Sequence, residues 1–172
     1  MSGRDEYPAL RGCPYALRPR SATRRVLVAC VGNVLRRDDG FGPAVAARLH
    51  DMPEGVKVVE TGIGGMAVLQ ELLDRYDGLV VVDAVDHGAE PGTVMVITPE
   101  VGEAVNVPDV HLANPERVLT MARSMGALPG RLAIVGCQPA DAEDLGQQLS
   151  PEVERAVEVA AERVREVVGG WL

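Results

Sequence analysis

Aromatic residues are scarce in this chain: one Phe (Phe41), one Trp (Trp171) and three Tyr make up 3% of 172 residues. A core with so few rings must be aliphatic, and the 47% hydrophobic fraction, supplied by Val, Ala and Leu, suits an α/β domain. Cysteine is scarce too. Cys13, Cys30 and Cys137 form no CxxC pair and no even-numbered framework, which argues against a disulfide scaffold and for a reducing, cytoplasmic setting. No apolar run approaches the roughly 20 residues needed to cross a bilayer, so no membrane partner is expected. Basic residues are outnumbered 17 to 25, and a formal charge of −8 offers no basic face for nucleic acid. The common catalytic signatures are also missing. There is no Gly-x-Ser-x-Gly elbow, no HExxH helix, no three-glycine dinucleotide fingerprint and no Gly-Lys-Ser/Thr phosphate loop.

The length fits one domain that buries roughly two-thirds of its unfolded surface. From Met1 to Arg25 the chain carries six arginines and three prolines but no apolar signal-peptide core. Residues 1–24 are therefore expected to be a flexible basic tail, and residues 25–172 the folded domain. Nothing in the acidic composition predicts more than a monomer.

Five apolar runs read as strands: Val26–Val31, Val56–Glu60, Leu79–Asp83, Thr93–Thr98 and Arg131–Cys137. Helical patterns fall between most of them. The first is expected over Asp39–His50, starting no earlier than Asp38 because Pro43 is tolerated only in a first turn. The second covers Gly65–Tyr76. Asn114-Pro115 opens a third that Gly126 ends, and Ser150-Pro151 and Gly169 bracket the last. Only nine residues, Ala84 to Gly92, separate the third and fourth strands. A parallel crossover needs a dozen or more. The fourth strand should run antiparallel, giving a mixed sheet.

Acids and a histidine collect at strand ends and helix mouths: Asp38, Asp39, Asp83, Asp86 and His111. If the first and third strands are parallel neighbours, Asp39 and Asp83 reach the same sheet edge, where open α/β sheets bind ligands. Two carboxylates and an imidazole make a mixed O/N set suited to a borderline transition metal. Plainer readings stand beside this one: Asp38 or Asp39 as a helix cap, Asp83 as a turn residue, His111 as a surface histidine. His50 and His87 read as solvated. Gly62-Ile63-Gly64-Gly65 serves equally as a ligand-approach loop or a tight strand-to-helix turn. Cys30 and Cys137 read as packed hydrophobes, with a Cys137/His111 nucleophilic pair as the alternative.

Val31-Gly32-Asn33-Val34-Leu35-Arg36-Arg37-Asp38-Asp39-Gly40-Phe41-Gly42 resembles the opening motif of the nickel–iron hydrogenase maturation endopeptidases. The likeness continues through Glu60–Met66, Val81–Val85, Pro91-Gly92-Thr93, Asp109–Leu112 and Val135–Pro139, into Leu149–Val153. It implies a three-layer α/β fold: a mixed, mainly parallel five-stranded sheet, one strand antiparallel, with helices on both faces. It implies an aspartic-type, metal-recognising endopeptidase that removes the C-terminal extension of a hydrogenase large-subunit precursor once nickel is in place. The family's nickel-recognising side chains map to Asp39, Asp83 and His111; the first is often Glu there. Nickel would come with the substrate, leaving no permanently bound cofactor. Asp39 and Asp83 are the expected catalytic residues. Asp38, Gly62, Gly64 and Gly65 are expected to bind substrate. A nickel carrier that does not cleave, and a nucleotide-binding domain using Gly32-Asn33 and Gly62–Gly65 as phosphate loops, are the alternatives. Asp38 and Asp39 oppose the latter by repelling phosphate.

Overall fold

A computed structural model describes residues 23–63, 65–99 and 115–172. The expected tail up to Ala22, Gly64, His111 and the Asn114 cap lie outside the described residues.

All five strands form where the apolar runs place them: β1 Val26–Val31, β2 Val56–Gly62, β3 Gly78–Ala84, β4 Val94–Ile97 and β5 Arg131–Cys137. They make one sheet in the order β2-β1-β3-β5-β4. β1 is parallel to β2 and β3, β3 is parallel to β5, and only β4 is antiparallel, paired with β5. The short β3–β4 connection therefore has the consequence predicted for it. Side chains on β1 alternate between two cores, as the period of two requires. Val26, Val28 and Cys30 face α1 (Phe41–Ala46) and α4 (Pro151–Gly169). Leu27 and Ala29 face α2 (Gly65–Leu72) and α3 (Pro115–Ser124). The result is the three-layer arrangement.

Two helices are shorter than periodicity suggests. The segment Arg37–Gly40 is a 3-10 turn, and α1 proper begins only at Phe41. Beyond Ala46 the bonds tighten to i→i−3, Arg48 N–H to Val45 O and Leu49 N–H to Ala46 O, as is common at a helix end. α2 stops at Leu72 in the same way, with Arg75 N–H donating to Leu72 O and Arg75 at φ 55° turning the chain toward β3. The apolar stripe continues through both terminal turns, so the sequence pattern overruns the helices. α4 spans the bracketed interval and buries Val153, Val157, Ala160, Val164 and Val168 against the sheet.

The one Phe and the one Trp both belong to the core on the α1/α4 side of the sheet. Phe41 is fully buried in the α1/α4 core. Trp171 lies over Gly78 at the start of β3, where a Cβ would fall 2.6 Å from the ring, and its carbonyl accepts from Arg24 and Arg131.

Gly42 carries a positional constraint. The start of α1 is pressed onto the ends of β1 and β3, and a Cβ there would meet the Val31 carbonyl and come within 2.8 Å of the Val82 carbonyl oxygen. Backbone cannot yield as a side chain can. Gly42→Ala is expected to cost roughly 3 kcal/mol, the upper range of overpacking, read as a lowered denaturation midpoint. An unchanged midpoint would contradict this packing.

Candidate active site at the carboxyl edge of the sheet

The carboxyl ends of β1, β2, β3 and β5 lie along one edge, and β1 sits between β2 and β3, where the chain reverses its order of travel. This is the topological switch point at which open α/β sheets place their ligands. The turn after β1 is tightly tied. Gly32 adopts φ 141° and rests against the Asp39 carbonyl, leaving no space for a side chain. Asn33 N–H is shared between the Asp39 carbonyl at 3.1 Å and its carboxylate Oδ2 at 2.9 Å. That hydrogen bond aims Asp39 back over the end of β1. Neither Asp38 nor Asp39 caps a helix through its side chain.

Asp83 arrives from β3. Its position in the alternation puts it on the α2/α3 side, beyond Leu79 and Val81. Its carboxyl is pushed up to about 7, first by burial and second by the charge of Asp39, partly offset by a hydrogen bond to the Ala84 backbone. Asp39 and Asp83 thus occupy one site, close enough for the charge of Asp39 to raise the Asp83 carboxyl. A divalent cation placed between them would relieve both repulsion and desolvation. Among the described residues no group of three His, Cys, Asp or Glu side chains could hold a metal, so the pair needs a third donor from elsewhere.

Asp38 behaves differently from its neighbour. It is fully buried, and its carboxylate accepts from Ala140 N–H (2.8 Å), Asp141 N–H (2.9 Å), Ser150 N–H (2.6 Å) and Ser150 Oγ (2.9 Å). With no accessible surface and four donors satisfied, Asp38 cannot face substrate, and that expectation is corrected. Gly62 closes β2 on the exposed side of the site, with open space where a side chain would be, and Gly65 begins α2. Asp86 lies in an exposed turn bonded to Gln138 Nε2 and Gly88 N–H, which hold its carboxyl below the usual range. His50 and His87 are exposed, as read from the sequence.

Sequence reasoning missed two contributors. Gln138 is buried, and its Oε1 accepts from His87 N–H and Ala89 N–H, fixing the β3–β4 turn. Ser150 carries the sequence signal of a helix cap, yet its hydroxyl serves Asp38 and makes no capping bond. No local pattern distinguishes those uses.

The chemistry of the rest narrows what the edge can do. Cys30 and Cys137 are buried, and burial pushes their thiols up to about 12 and about 11. Neither supplies a thiolate at neutral pH, so the Cys137 nucleophile is excluded on chemical grounds. Most amides of the turn after β1, the first of the two candidate phosphate loops, are already used. Gly32 N–H goes to Gly62 O, Asn33 N–H to Asp39, Arg37 N–H to Gly146 O and Asp38 N–H to Asp141 O. An anion finds little to bind here; a cation finds two carboxylates.

A sequence model of the family described as hydrogenase maturation protease matches residues 43–167. This chain belongs to that family. It is 34% identical over 165 residues to the hydrogenase expression/formation protein HupD of Rhizobium leguminosarum bv. viciae, across 92% of this chain and 80% of that protein. Among solved structures, it resembles the hydrogenase maturating endopeptidase HybD from E. coli with a TM-score of 0.69 and 31% identity, covering 81% of this chain and 89% of HybD. The hydrogenase 2 maturation peptidase from a Thaumarchaeota archaeon aligns with a TM-score of 0.63 and 32% identity, over 85% of this chain and 99% of that one. The resemblance carried by the opening motif is borne out, as are the mixed sheet and its single antiparallel strand. As a hydrogenase maturation protease the chain is a hydrolase of peptide bonds, and the described helices include none long and apolar enough to cross a membrane.

The raised Asp83 has a consequence for this maturation protease in the absence of any cation. Unfolded, Asp83 ionises near 3.8; folded, it keeps its proton up to about 7. Across that window the folded state binds the extra proton, so stability from this group falls as pH rises and is lowest above pH 7. Asp83→Asn should be near neutral at pH 4 and stabilising by roughly 1–3 kcal/mol at pH 8, after discounting for partial solvent access. Urea denaturation at the two pH values checks it; an equal effect at both would remove the charge explanation.

Proposed function

We propose that this maturation protease removes the C-terminal extension of a nickel-loaded [NiFe] hydrogenase large-subunit precursor, reading the nickel as proof that the metal is in place. The observation that carries the reading is the Asp39–Asp83 pair at the switch point, with Asp83 held protonated to about pH 7 by burial and by its neighbour. A lone pair of acids in that state is primed for a cation. Nickel borne by the precursor would let Asp83 shed its proton and join Asp39 as an oxygen ligand, while a nickel-free precursor would meet only repulsion and desolvation.

His111 is the third ligand in this reading. It precedes Pro115 by four residues, and six residues separate the end of α3 from the start of β5, which lies at the opposite edge of the sheet. The start of α3 therefore belongs to the same edge as Asp39 and Asp83, which supports an imidazole joining them. A 2-carboxylate, 1-imidazole set suits nickel and leaves coordination positions for the precursor's own ligands. The metal is then part of the substrate, and no cofactor is held permanently.

Water is activated at the same centre, with Asp39 and Asp83 as the catalytic residues of an aspartic-type, metal-recognising endopeptidase. The attacking water would give its proton to whichever of the two carboxylates is not engaged by the metal, which would return it to the leaving amine. The surrounding loops suit a polypeptide. Val34, Leu35, Ile63 and Met66 are exposed at 52%, 52%, 65% and 47%, and Gly62 lets a main chain approach closely. The enzyme acts in the cytoplasm as a monomer, beside the precursor it processes.

Intact-mass analysis of nickel-loaded precursor incubated with the protein tests this. Wild type should release the extension. Asp39→Ala and His111→Ala should each slow release at least about a hundredfold, the scale of losing a ligand or a catalytic acid. Normal cleavage by both variants would end the assignment, and stoichiometric binding without cleavage by wild type would favour a nickel carrier.

A further inference from the structure

We propose that Asp38 is the positioning residue for Asp39: its buried carboxylate locks the turn after β1 onto residues 140–150 and so fixes where the reacting acid points. The proposal rests on the functional reading of Asp39 given above, but its geometry stands separately.

The sheet pairs without this contact; what the contact joins is two loops far apart in sequence. Besides the four donors on the Asp38 carboxylate, Asp38 N–H donates to Asp141 O at 3.0 Å, Arg37 N–H to Gly146 O at 2.7 Å and Gly146 N–H to Leu35 O at 2.9 Å. Arg37 Nη1 adds a 2.7 Å ion pair to Asp141 Oδ2. Arg37 itself adopts φ 43°, a left-handed conformation uncommon for a side-chain-bearing residue and maintained here by those bonds. The clasp therefore imposes the backbone path on the turn.

Asp39 is the next residue in the same 3-10 turn. At three residues per turn, adjacent side chains diverge by about 120°, so an Asp38 turned fully inward directs Asp39 away, toward the site. Asp39 N–H is tied to Arg36 O at 3.0 Å, and its carboxylate accepts from Asn33 N–H. The Asn33–Asp39 hydrogen bond is thus the downstream readout of the clasp. The position suits a carboxylate because both oxygens accept, Oδ2 from Ala140 N–H, Asp141 N–H and Ser150 Oγ and Oδ1 from Ser150 N–H, and it offers no donor of its own. An Asn there would point its own NH2 at donors and leave them unsatisfied in the interior.

Native-state hydrogen exchange on the full chain reads this directly. In folded Asp38→Asn, exchange protection of the Asn33 amide should fall by about tenfold or more while mid-strand amides of β1 keep wild-type protection. The kcat/KM for precursor cleavage should fall at least about tenfold, because Asp39 both meets the precursor's nickel and serves the chemistry, and its aim is lost. Ser150→Ala, which removes one of four donors, should give a smaller change in both. Wild-type Asn33 protection in folded Asp38→Asn overturns the proposal. Should Asp38→Asn not fold, Asp38→Glu keeps the charge while displacing it by one methylene, and wild-type Asn33 protection there overturns the proposal equally. Asp39→Ala is assayed in parallel: normal cleavage by it locates the fault in the role of Asp39, whereas normal cleavage by Asp38→Asn alone locates it in the clasp.

Discussion

The parallel pairing of β1 with β3 is the constraint on which this molecule's chemistry depends. Register sets Cys30 beside Val82, so the residues that follow each strand emerge together at one edge. Everything at the site is a consequence of that alignment. Asp83 comes from the last turn of the β3 alternation, and Asp39 is folded back over β1 by the tied turn. Placing two carboxylates together at the border of an aliphatic core is unfavourable for an empty protein. The raised proton affinity of Asp83 is the record of that cost, and a cation between the two carboxylates would remove it. In the function proposed above, selectivity for a nickel-loaded precursor would follow from these same electrostatics.

Much of the fold was legible in the chain because its signals are local. Buried strands appear as unbroken runs of Val, Leu and Ala, and β4 had to reverse because too few residues separate it from β3. α4 is delimited by Pro151 and Gly169, residues with one conformational meaning each. Asp83 was recognisable as a carboxylate ending an otherwise apolar strand, where burial without purpose is costly. The limits of α1 and α2 were not legible, since their apolar stripes run on into i→i−3 turns that a hydrophobic pattern cannot tell from a continuing helix.

The division of labour between Asp38 and Asp39 was equally hidden. Two adjacent acids carry the same local signal, and which one is buried is decided by Ala140, Asp141 and Ser150, more than a hundred residues away. The same distance explains why Ser150 read as an ordinary cap. Long-range hydrogen bonds to single side chains leave no periodicity and no composition bias, so they emerge only when the chain is folded. Here they turned a candidate substrate contact into part of the frame.

Trp171 has a practical implication of its own. The chain's one indole rests on Gly78, at the amino end of β3, a full strand length from the carboxylates. Its intrinsic fluorescence will follow melting of the α1/α4 core faithfully yet remain silent to whatever enters the cleft. An emission-based assay of precursor engagement therefore needs a dye or a second tryptophan introduced on the opposite rim.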